Sequence, residues 1–101
     1  MFEKYLKDMT DQFYTAFFKI LDDRKAEVHS TDYFVEFGDG YALQFIKSLG
    51  SSNTGKWSLY RPVNKRRSER IKTIREHRNT DAMSIMVILL EHAISAFIKD
   101  F

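Results

Sequence analysis

His29, His77 and His92 are the side chains best suited to acid–base or metal chemistry near neutral pH, and their spacing argues against both. No two of them stand four residues apart, so no pair shares a helix face as zinc ligands would. Glu76-His77 and Glu91-His92 are sequence neighbours, and neighbours on a helix point about 100° apart. The chain has no cysteine, which removes disulfides, thiolate metal sites and a thiol nucleophile and fits a reducing, cytoplasmic setting. Position alone assembles no serine–histidine–acid set. Gly50-Ser51-Ser52-Asn53-Thr54-Gly55-Lys56 has the G-x-x-x-x-G-K spacing of a phosphate-binding loop, but Trp57 stands where a Mg²⁺-holding hydroxyl belongs. The run also joins two strands instead of opening a helix, so it reads as a hairpin loop. These residues predict a protein that is not an enzyme and needs neither cofactor nor metal.

Charge is the feature that points to a partner. Eight of the 16 Lys and Arg residues fall between Arg61 and Arg78, with only Glu69 and Glu76 against them, so this stretch is formally +6. The whole chain is +2, which leaves an acidic body of −4. Such a segment attracts nucleic acid, another polyanion or an acidic protein surface. Arg61, Lys65, Arg66, Arg67, Arg70, Lys72, Arg75 and Arg78 are the expected anion contacts, with Lys56 and Tyr60 from the preceding strand. Six of the eight are arginine, whose planar fork matches phosphate oxygens. The competing explanation is a solvated face with pairs such as Lys72–Glu76.

At 101 residues the chain is expected to form one domain spanning 1–101. Phe2, Leu6, Met9, Phe13, Phe17, Ile20 and Leu21 recur at three and four residues, which predicts an amphipathic helix over 2–27. Its other face carries Glu3, Asp8, Asp11, Asp22 and Asp23, a solvated set instead of a catalytic dyad. Alternation then begins. Tyr33, Val35 and Phe37 face one way; after the tight turn Gly38-Asp39-Gly40 they are joined by Tyr41, Leu43 and Phe45, and later by Trp57, Leu59 and Arg61. The opposite side carries Phe34, Glu36, Ala42, Gln44, Ile46, Lys56, Ser58 and Tyr60. Pro62 is expected to stop the third strand. Asn64 reads as a helix N-cap, with a polar helix over 65–78 whose thin apolar stripe is Ile71 and Ile74. Asn79-Thr80-Asp81 starts a strongly apolar helix over 82–100. The expected fold is α+β, a three-stranded antiparallel meander packed on helices in the order α-βββ-α-α.

Two further contacts follow. Phe34 and Ile46, on the mixed sheet face, can stack on bases or anchor a protein. In the last helix Ile85 to Leu90 are all apolar, so any orientation leaves some exposed; Ile85 and Leu89 are expected at a partner or homodimer contact. The apolar run Met83–Ile98, interrupted by Ser84, Glu91, His92 and Ser95, predicts no membrane crossing, and the N-terminus lacks a signal-peptide core.

The order helix, three-strand meander, then a helix with Asn64-Lys65-Arg66-Arg67 at its start resembles the double-stranded RNA-binding domain in outline. That resemblance implies phosphate clamping by the start of the second helix. The family's lysine-rich signature there is missing, and the Gly38-Asp39-Gly40 hairpin is short and acidic. The expected function is a non-enzymatic module that binds nucleic acid or another polyanion through residues 61–78. The alternative is a small inhibitor or adaptor, of the kind phages encode, that binds and blocks another protein.

Overall fold

A computed structural model of the chain describes residues 1–26, 30–48 and 54–100. Two helices and four strands follow in the order α1 (Phe2–Ala26), β1 (Asp32–Phe37), β2 (Tyr41–Lys47), β3 (Gly55–Asn64), β4 (Arg67–Glu76) and α2 (Ala82–Asp100). The strands form one antiparallel meander, β1-β2-β3-β4. The α+β class and the antiparallel sheet are as expected. The strand count and helix order are not, because residues 67–76 form a fourth strand and there is no middle helix.

The error has an identifiable origin. Ile71 and Ile74 are three apart, a spacing that mimics a helical stripe. In the sheet, Tyr60 pairs with Arg70 while Leu59 pairs with Lys72, so Ile71 is the extra residue of a β-bulge. The bulge resets the alternation and leaves Ile71 and Ile74 both packed against the core. Asn64 marks a turn, not a helix start. Its side-chain carbonyl accepts from the Arg66 backbone N–H at 2.9 Å, an Asx-type contact across the two-residue Lys65-Arg66 loop. The strand also runs through Pro62, at whose side of the hairpin the register shifts again. With a strand in place of the helix, the outline of the double-stranded RNA-binding domain is lost.

The other turns form as their residues dictate. Gly38 and Gly40 take φ of 57° and 93°, the left-handed region that glycine enters without strain. The Gln12 side chain accepts from the Gly38 N–H at 2.8 Å and ties this turn to α1. Asp81 caps α2 by accepting from the Met83 N–H at 3.1 Å.

Both helices lie on one face of the sheet, α1 against β1 and β2, α2 against β3 and β4. The face that received Tyr33, Phe37, Tyr41, Leu43, Phe45, Trp57 and Leu59 from the alternation is the buried one. Trp57, fully buried, stacks on Phe17 at 4.5 Å and meets Phe45 at 5.0 Å. Ile85 and Leu89 are 1% and 0% exposed, inside this chain's own core. That corrects the expectation that they meet a partner. The apolar side chains α2 leaves outward are Met83, Val87, Ile88 and Ile98. By length and composition α2 is long and apolar enough to cross a bilayer, unlike the shorter run read from sequence. In the folded chain Ile85, Leu89 and Ala93 pack into the core.

Gly55 explains half of the phosphate-loop mimic. It opens β3 opposite Lys47 and Glu76, and a Cβ there would overlap the Phe45 ring and the Ile46 carbonyl oxygen. The glycine is required by packing, and Lys56 simply follows it into an antiparallel strand. Gly50–Asn53, like His29, lie outside the described residues.

Candidate functional site

The side of the sheet away from the helices carries the chemistry. Register and alternation place Phe34 and Glu36 of β1, Gln44 and Ile46 of β2, Lys56, Ser58 and Tyr60 of β3, and Arg70, Thr73 and Arg75 of β4 on this open face. The sequence supplied the first three strands' share. Thr73 and the grouping of Arg70 and Arg75 with Lys56 and Tyr60 required β4. The signal that was missed is the β-branched cluster Ile71, Thr73 and Ile74, which favours a strand.

Polar contacts brace the centre of the face. Tyr60 donates to the Gln44 side-chain oxygen at 2.9 Å, and the Gln44 amide reaches the Asp32 carboxylate at 3.3 Å. Ser58 and Thr73 hydroxyls meet at 3.4 Å across β3 and β4. Phe34 remains 54% exposed beside Tyr60, with ring centroids 6.2 Å apart. Beyond them a shallow cleft of about 510 Å³ runs to the β3–β4 hairpin, lined by Phe34, Glu36, Pro62 and Lys65–Arg67 among others.

The cations divide into groups. Lys56 stands directly opposite Arg75, and Tyr60 opposite Arg70. Lys65 and Arg66 form the hairpin loop, which Arg67 closes opposite Asn64. Arg78 lies in the turn before α2. Lys72, opposite Leu59, falls on the helix-facing side. Arg61 is corrected as an anion contact. It shares the side of Trp57 and Leu59, so its guanidinium meets the end of α2, donating through Nε to Asp100 at 3.0 Å and through Nη2 to the other Asp100 oxygen. It also donates to Glu69 at 3.1 Å. Hydrogen bonding from Arg61 holds the Asp100 carboxyl below its ordinary range, with help from the Tyr41 hydroxyl. Burial, followed by the Asp100 charge, pushes the Tyr41 phenol up to about 12.

The segment's second carboxylate is also taken. Glu76 accepts a bidentate fork from Arg24 at 2.8 and 2.9 Å and the Trp57 indole N–H at 2.8 Å. Burial alone would raise its pKa, but the hydrogen bonds from Arg24 and Trp57 and the charge of Arg24 together hold it below the usual value. The Arg24 guanidinium sits 4.3 Å above the Phe45 ring. Internal pairing therefore consumes both acids of the basic stretch and one arginine. Among the described residues, Lys56, Lys65, Arg66, Arg67, Arg70, Lys72, Arg75 and Arg78 form no ion pair. No group of three or more potential metal ligands occurs among the described residues.

No family model matches the chain, and neither a curated protein nor a solved structure does.

Proposed function

We propose that this chain is a non-enzymatic, cytoplasmic binding module whose open sheet face and β3–β4 hairpin meet nucleic acid or a similar polyanion. The observation that carries this is the Lys56–Arg75 pair, two cations directly opposite on neighbouring strands with no acid between them. Like charges in that position destabilise a sheet. A sequence selected only for folding would place an acid at one of the two. An anionic partner removes the repulsion and turns it into affinity. Arg70 on the same face and Lys65, Arg66 and Arg67 at the hairpin extend the cationic path about 30 Å along the strands, at 3.3 Å per residue.

The test is titration of fluorescein-labelled oligonucleotides at low and moderate salt. Binding at micromolar concentration or tighter that weakens steeply with salt is the expected result. No binding at low salt would overturn the proposal. One observation favours the second reading, a module that blocks another protein: the outward apolar line of Met83, Val87 and Ile98 on α2, 40%, 49% and 53% exposed. A second copy of this chain can also use that line, and light scattering on a sizing column measures whether it does.

A further inference from the structure

Charge alone does not account for Phe34. A phenylalanine in mid-strand on the helix-free side, flanked on its own face by Asp32 and Glu36, adds nothing to the core. It stays 54% exposed, its ring tilted 52° against that of Tyr60. An undistorted duplex offers such a ring no base face, because paired bases are already stacked and present only their edges in the grooves, and wedging the ring between them costs unstacking energy. A single strand does, because each unstacked base offers a π-face to an exposed aromatic side chain. We propose that the open face takes a single-stranded nucleic acid, with bases stacked on Phe34 and Tyr60 and phosphates along Lys56, Arg70 and Arg75. This deepens the polyanion proposal and rests on it.

Placement supports the assignment. Charge is graded across the sheet, acidic at the β1 edge (Asp32, Glu36) and basic along β3 and β4. The phosphate chain is therefore held over β3 and β4, and the bases extend toward β1. Tyr60 stands directly opposite Arg70, so a phosphate on Arg70 leaves its base over the Tyr60 ring. Phe34 adjoins that ring, ready for the next base. The Tyr60 hydroxyl, fixed by Gln44, holds its ring in place before any ligand arrives.

The experiment measures fluorescence anisotropy of fluorescein-labelled dT12, rU12 and the dA12·dT12 duplex, with heparin as a polyanion that has no bases. Wild type and Phe34→Ala are compared. Phe34 is exposed, so its loss leaves the fold intact, which thermal unfolding checks. Both single strands should bind more tightly than the duplex. Phe34→Ala should weaken single-strand binding about 5- to 150-fold, the effect of losing one stacked base. Heparin binding should not change. Duplex binding as tight as single-strand binding, or an unchanged affinity in Phe34→Ala, overturns the single-strand assignment and leaves the polyanion proposal standing. Failure of heparin and every oligonucleotide to bind overturns both.

Discussion

Replacing Arg75 by Gln should make the protein more stable and bind less well. Lys56 and Arg75 are a register pair on the open face, and neither has an ionic partner among the described residues. Opposed residues in an antiparallel pair have Cβ atoms about 5 Å apart, and like charges there oppose the fold by roughly 0.2–1 kcal/mol. For a domain of this size that predicts a rise in melting temperature of about 1–8 °C in Arg75→Gln at low salt. Screening supplies an internal control. The Debye length falls from about 10 Å at 0.1 M salt to about 3 Å at 1 M, so the gain should shrink toward zero at high salt. Binding should move the other way. If Lys56, Lys65, Arg66, Arg67, Arg70 and Arg75 all neutralise phosphates of a single strand, log K falls against log salt with a slope of about −4. That is roughly a 300-fold loss of affinity between 50 and 200 mM salt. Each cation removed should flatten the slope by about 0.7. Thermal unfolding by circular dichroism and anisotropy across four salt concentrations read the two quantities on the same samples. A variant that is less stable at low salt, or one that binds with an unchanged salt slope, would refute the reasoning.

Three further outcomes concern the fold. Glu76→Gln leaves Arg24 largely covered without its carboxylate, so denaturant unfolding should show a loss of about 3 kcal/mol at neutral pH. Because the folded Glu76 pKa lies below 4.5, its contribution is complete above that value and disappears as pH falls through the folded value; the variant's acid limb should therefore be flatter. Tyr41 works in the opposite sense. Its phenol is raised from 10.0 to about 12, so its contribution is full below pH 10 and is lost as pH rises toward 12. The urea midpoint of wild type should drop over that window, while that of Tyr41→Phe should not drop on this account. Gly55→Ala forces a methyl into the Phe45 ring and the Ile46 carbonyl and should lower stability by about 1–3 kcal/mol, read as a reduced melting temperature.

Much was legible along the chain because it depends on local period. Helical spacing in 2–26 and 82–100 and strict alternation in 33–47 and 57–61 set the elements and the face each side chain takes. Gly38 and Gly40 marked their turn because only glycine enters positive φ freely. The unevenness of charge is likewise a property of the string. Residues 65–78 were different. A single bulge at Ile71 converts a period-two strand into an apolar spacing of three, which spacing alone does not distinguish from a helix; only the β-branched character of Ile71, Thr73 and Ile74 leans toward a strand. β3 decides the matter. It offers Trp57 and Leu59 as neighbours for Ile74 and Lys72, while Arg24 and Trp57 fix Glu76 from α1 and the sheet. Which cations remain available was also beyond the sequence. Alternation put Arg61 on the side of Trp57 and Leu59, but its partner is set only when α2 brings Asp100 to it, because ion pairing depends on distances through space, and those exist only once the helices have packed.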